Sequence, residues 1–241
     1  MSEFWTRCCR MSCSNRGAAR AVMPQTAWVI VLQPVLEIFA LDGFTLWPVA
    51  QNAPYGFLPL SGRLDRTEVG TAVMRIADCN NIVPEDDGCP PRPADPLGGF
   101  LYGLLTVDDL FASGGLQITD TATGATLLPG CCNGLDERRD WLEVVDGDGW
   151  ASFGHDPSPL AERHDDVVRL TVDAEHDDSP VIEVSVTDLR RLLAGAERDL
   201  IDFLQLAAAW TSLHLPDYAP SVTSALGRAL DLPAPVIPPN P

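Results

Sequence analysis

The stretch LLPGCCNGLDERRDWLEVVDGDGWASFGHDPSP (residues 127–159) sets the reading of the whole chain, because breakers and apolar residues alternate in it at the spacing of successive short elements. Asn133 is placed to cap a helix over 135–145, with Leu135, Leu142 and Val145 on one face and Gly147 at its end. Trp150 to Phe153 then starts a strand. Outward on the C-terminal side, Val168, Leu170 and Val172 alternate with Arg169 and Thr171, and Ile182, Val184 and Val186 alternate with Glu183 and Ser185. Each pattern describes a strand with one face buried and one wet. Thr187-Asp188 opens the strongest helical periodicity, in which Leu189, Leu193, Ala196, Leu200, Phe203, Ala207 and Trp210 recur at steps of four and three. Gly195 is a point at which that helix can divide in two, and a further short helix is expected over 221–230.

On the N-terminal side, 116–128 reads as a hairpin around Thr121-Ala122-Thr123-Gly124. Residues 28–33 and 35–41 read as strand, although periodicity alone also admits a buried helix. Asp42-Gly43 marks a hairpin turn into a strand over 44–49, and 52–62 reads as loop. Alternation predicts another strand over 68–77. The segment 97–105 is apolar, short helix or strand, and Thr106-Val107-Asp108-Asp109 has the form of a capping box ahead of a short helix ending at Gly114-Gly115. Between these lies CNNIVPEDDGCPPRPADP (residues 79–96), whose five prolines and acidic run make it a long ordered loop or a linker. The expected fold class is α+β: one mainly antiparallel sheet with helices packed on one face and a C-terminal helical segment.

The domain so described runs over 23–232. Residues 1–22 carry four arginines against one Glu and three of the seven cysteines, and read as a disordered or non-native extension, with Met1, Met11 and Met23 all open as the start. They lack the apolar segment of a secretory signal. Residues 233–241 form a Pro-rich tail in which helix or central strand is excluded. The apolar run 27–41 is too short for a bilayer, which takes about 20 residues. A soluble, cytoplasmic protein is expected, with reduced thiols, and an odd cysteine count agrees with that.

All sixteen basic residues are arginine, and the formal net charge is -18. Such a balance disfavours a nucleic-acid backbone, which needs clustered cations, and an anionic membrane surface for the same reason. It favours a basic protein partner. Residues 136–188 concentrate the charge, with sixteen Asp or Glu against four Arg. On one face these would form a strongly negative surface; scattered, they only solvate. Asp146, Asp148, Trp150, His155 and Asp156 are the binding candidates that this band contains.

Three histidines precede aspartates, at His155-Asp156, His164-Asp165-Asp166 and His176-Asp177-Asp178. Imidazole and carboxylate are transition-metal ligands, so His155, Asp156 and His164 are the metal candidates and a metal-dependent hydrolase is the alternative function. Adjacent strand residues point to opposite faces, however, and His and Asp are ordinary turn residues. His155 as a general base lacks a recognisable orienting partner. Cys131-Cys132 read as a nucleophile or redox pair beside a helix N-terminus that would favour thiolate, or as buried free thiols. Cys79 and Cys89 could bridge their loop under oxidising conditions. Asp146-Gly147-Asp148-Gly149 resembles a calcium loop but lacks its sixth-position Gly and twelfth-position Glu, and reads as a turn. No phosphate loop, dinucleotide fingerprint or zinc ribbon is present, and no cofactor is expected.

The run 127–163, set in the wider segment 116–213, resembles a family of unannotated proteins from high-GC bacteria, which implies no activity and carries no site residues across. More distantly, the order of helix, strand with a DP turn, strand pair and a helix beginning TDLRRLL is similar to SUKH-type immunity proteins. That resemblance implies an acidic α+β binder that neutralises a toxin. The Pro-rich loop, the N-terminal strands and the second long helix depart from that pattern. The favoured function is a non-enzymatic protein-binding module, immunity- or antitoxin-like in one form, whose acidic surface engages a basic protein near GHDPSP.

Overall fold

The structure, a computed structural model, describes residues 30–39, 41, 43–51, 55–82 and 90–233. It is α+β, with two four-stranded antiparallel sheets where the sequence suggests one. The first sheet has the order β2-β1-β3-β4, from β1 (Ile30–Phe39), β2 (Tyr55–Pro59), β3 (Gly114–Asp120) and β4 (Thr126–Leu127). The second is a meander of β5 (Trp150–Ser152), β6 (Leu160–His164), β7 (Val167–Thr171) and β8 (Val181–Ser185). Among the described residues five α-helices accompany them: α1 (Arg66–Cys79), α2 (Pro96–Thr106), α3 (Asp140–Asp146), α4 (Val186–His214) and α5 (Ala219–Ala229).

β1 runs unbroken through Pro34, which pairs with Leu116 of β3 while its carbonyl accepts from the Leu60 amide at 2.8 Å. The expected hairpin into 44–49 is replaced by one into β2, with Leu36 opposite Leu58 and Phe39 opposite Tyr55. Asp42 of the expected turn lies outside the described residues. The segment 44–49 instead spends its aromatics on the helices: the Phe44 and Trp47 rings lie 4.8 Å apart, Trp47 meets Trp210 at 5.8 Å, and the Trp47 indole donates to the Gly70 carbonyl at 2.8 Å. Packing that removes large rings from water outweighs the hairpin signal.

Residues 68–77 form most of helix α1, where the sequence suggests strand. Asp65 closes a capping box: its carboxylate accepts from the Thr67 and Glu68 amides, and Glu68 accepts from the Asp65 amide at 2.8 Å. Every residue from Val69 to Ala77 is buried, so the helical period does not stand out over the alternation in the sequence. Thr106 ends α2 rather than capping a helix, and its hydroxyl donates back to the Tyr102 carbonyl. Asn133 does not cap either; its carboxamide donates to the Gly114 carbonyl at 2.8 Å. A 3-10 turn (Asp136–Arg139) leads into α3, and the tighter winding shifts the phase. Trp141, Val144 and Val145 are therefore buried, while Leu142 is 49% exposed.

Helix α4 is one 29-residue rod, uninterrupted at Gly195 and about 43 Å long. Leu189 and Ala196 pack in a core that both sheets share, with Trp141, Ile118, Leu170 and Val184, whereas Leu200, Phe203, Ala207 and Trp210 pack with α1 and α5. Leu32, Leu36 and Ile38 share one face of β1, and Leu32 joins the first of these cores and the other two the second. A buried guanidinium, Arg138, ties the 3-10 turn to both helices: it donates to Glu197 of α4 and to the carbonyls of Leu135, Leu230 and Asp231.

Phe203→Ala is expected to cost about 3–5 kcal/mol, and Leu213→Ala, at a 62% exposed position of the same helix, within about 0.5 kcal/mol. Urea unfolding of the two variants measures the difference directly.

Candidate functional site

The binding candidates fall at the two ends of β5. Asp146 closes α3, and its carboxylate is held by Arg190 of α4 at 2.5 Å, so part of the anticipated negative charge is neutralised within the chain. Asp148 is exposed in the turn that follows. Trp150 opens β5 with 56% of its surface exposed. Across the sheet it stands in line with Glu162, Arg169 and Glu183, so one row on the outer face runs aromatic, acid, base, acid. Asp173 turns inward on its own loop, where the Glu175 amide above all holds its carboxyl below the ordinary range.

Past the other end of β5, Gly154-His155-Asp156-Pro157 meets the loop that carries the cysteines. The Gly130 amide donates to the Phe153 carbonyl at 2.8 Å, the Cys131 amide to the His155 carbonyl at 2.5 Å, and the His155 amide back to the Cys131 carbonyl at 3.3 Å. Two glycines make this approach possible. A Cβ on Gly130 would stand 2.2 Å from the Pro157 carbonyl oxygen, and one on Gly154 2.7 Å from that of Cys131. Beneath the junction, Trp141 and Phe153 stack with ring centres 4.1 Å apart and anchor both segments. Cys132 and Asp156 hold positive φ, 66° and 51°, conformations that cost a non-glycine residue about 1 kcal/mol or more.

The bridge brings three donor side chains together. Cys131, Cys132 and His155 offer ligand atoms that all lie within 4.8 Å of one another, and the two sulfurs are 3.5 Å apart. All three residues are exposed. The metal candidates read from the sequence are not gathered in this way. Asp156 Oδ2 lies 3.4 Å from His155 Nδ1, but His164 ends β6, paired with Val167. Among the described residues, the group of three or more His, Cys, Asp or Glu side chains close enough to share an ion is the Cys131–Cys132–His155 trio.

The thiols do not sit at a helix N-terminus, since Asn133 caps nothing, and for Cys131 the anticipated lowering does not occur. The Cys131 thiol is pushed above its ordinary value, first by its hydrogen bond with Cys132 and then by burial, with the Glu37 carboxylate adding to it. Glu37 stands on the face of β1 opposite Leu36, accepts from the Ser113 hydroxyl, and also raises the Tyr55 phenol, for which burial is the larger cause. Cys79 is free and only partly exposed, with its thiol raised chiefly by burial; Cys89 lies outside the described residues. A separate cleft of about 310 Å³ lies between α3 and α4, lined by Leu142, Leu193 and three arginines, Arg138, Arg139 and Arg190. Its arginines are engaged by Glu197, Asp231 and Asp146 respectively. None of the three metal-type donors lines it.

Sequence reasoning singled out both CC and GHDP yet left them separate. The only signal that could have joined them is the glycine in each motif, which permits backbone contact without specifying it. No family model, curated protein or solved structure matches the chain.

Gly130→Ala is expected to force the two loops apart and to cost about 1–3 kcal/mol, read as a lowered urea midpoint. An unchanged midpoint would show that the loop backbones do not need this contact.

Proposed function

We propose that the chain is a non-enzymatic cytoplasmic binding module that engages a basic protein through the outer face of the β5–β8 sheet. The observation that carries the reading is Trp150, a large aromatic left 56% exposed, in register with Glu162 and Glu183 and two residues from Asp148. Exposed aromatics of this kind act as anchors at interfaces. Acidic neighbours speed encounter with a basic partner and reject acidic ones. A net charge of -18 extends the same preference to long range and disfavours phosphate backbones. No helix among the described residues is long and apolar enough to cross a membrane. Neutralisation of a basic toxin, as the likeness to SUKH-type immunity proteins implies, is one form of this activity. A hydrolase built on His155, Asp156 and His164 has less support, because His164 stands apart from the other two.

The test is affinity capture on the immobilised full chain, followed by calorimetry with the purified partner. Trp150→Ala should weaken binding by about thirtyfold, and the combined Asp146→Asn, Asp148→Asn and Asp156→Asn changes by about tenfold, mostly in the association rate. Raising salt from about 0.05 to 0.5 M should weaken it by a further factor of about ten. Affinity indifferent to salt and to Trp150 would sink the proposal.

A further inference from the structure

We propose that Cys131, Cys132 and His155 form a binding site for one thiophilic transition-metal ion, of the class of Zn(II), Cd(II) or Cu(I). The inference is independent of the binding face around Trp150. It rests on three donor atoms brought within 4.8 Å of one another by two loops that are hydrogen-bonded backbone to backbone.

The spacing suits a tetrahedral ion. Zinc–thiolate bonds of about 2.3 Å at a tetrahedral angle put two sulfurs about 3.8 Å apart, and the Cys131 and Cys132 sulfurs are already at 3.5 Å. A thiolate and an imidazole on the same ion would be separated by about 3.5 Å, within the 4.8 Å span of the trio. Little rearrangement is therefore needed. The loops are fixed by the Cys131–His155 bridge, by the Gly130 and Gly154 close approaches and by the Trp141–Phe153 stack, so the ordering of the ligands is settled by folding and not by the ion.

Ligand type sets the class of ion. Two thiolates and one imidazole favour soft or borderline metals, while calcium and magnesium require oxygen donors. Two thiolates also balance the charge of a divalent ion. Asp156 stands where such histidines find outer support, with its carboxylate 3.4 Å from the His155 Nδ1. The competing use of adjacent cysteines, a disulfide between them, demands a strained ring and an oxidant.

Three protein ligands on an exposed surface leave a fourth tetrahedral position open. A closed structural site would use four. This site is therefore built for exchange: the open position takes water, a small donor, or a side chain from another molecule.

Cobalt(II) titration of the reduced full chain tests this, with Cys8, Cys9, Cys13 and Cys89 replaced by Ser so that, Cys79 aside, the trio's own thiols are the only ones present. One equivalent should bind, giving a thiolate-to-cobalt charge-transfer band and the intense visible bands of a tetrahedral ion, and zinc should displace it. Cys131→Ser or Cys132→Ser should each weaken binding at least about a hundredfold, His155→Ala about tenfold or more, and Asp156→Asn about tenfold. His155→Cys should restore the site as three thiolates, and His164→Ala and Cys79→Ser should leave it unchanged. Far-UV circular dichroism confirms that each variant is folded. Absence of saturable binding overturns the proposal, and so does binding that survives Cys132→Ser. Affinity unchanged in His155→Ala would reduce the site to a bare dithiol and overturn it as well.

Discussion

The apolar stripe of α4 holds the molecule together, because it is shared lengthwise between two cores. Its first half lies in the core that both sheets share and its second half among α1, α2 and α5. Among the named elements, β1 alone does the same, with Leu32 on one side of the division and Leu36 and Ile38 on the other. A break at Gly195 would separate the two halves. That the helix continues through it, at a cost of about 1 kcal/mol relative to alanine, follows from how much apolar surface on both sides depends on the alignment. Arg138 reinforces the junction from outside the stripe by bonding α4 and the end of α5 at once.

The candidate site hangs from this frame at one remove. Trp141, packed in the α4 core, stacks on Phe153, and Phe153 accepts the Gly130 amide. The segment carrying the two cysteines and the segment carrying the histidine are thus positioned by the same buried ring. Three exposed side chains thus stand on a backbone held by hydrogen bonds. The polar group of Glu37, Tyr55 and Ser113 stands nearby on β1, β2 and the approach to β3, and the Glu37 carboxylate adds to the rise of the Cys131 thiol.

Much of this was legible in the residues, and the failures have physical causes. Strands β7 and β8 and helix α4 are half-buried elements, so their periods are written plainly in Val168 to Val172, Ile182 to Val186 and Leu189 to Trp210. Helix α1 is buried on all sides, which erased its period, and the decisive capping pair Asp65 and Glu68 is short-range chemistry that alternating apolar residues concealed. The segment 44–49 looks like strand and packs as an aromatic cover. For the site, composition pointed to His155 and to Cys131-Cys132 separately, yet their meeting is a long-range backbone contact with no side-chain signature. The residues near in sequence, Asp156 and His164, point to one set of metal donors, whereas the two thiols that complete a group of three with His155 come from more than twenty residues upstream.

The edges of the two sheets differ in length. β4 offers two residues and β5 three, while β2 and β8 each offer five. An edge strand invites pairing in proportion to the run of unpaired amides and carbonyls it presents. β4 and β5, which immediately precede the two loops of the candidate site in the chain, are thus too short to template an incoming strand. Recognition beside these two strands falls to side chains, and among the described strands β2 and β8 offer the longer edges for strand addition or self-association.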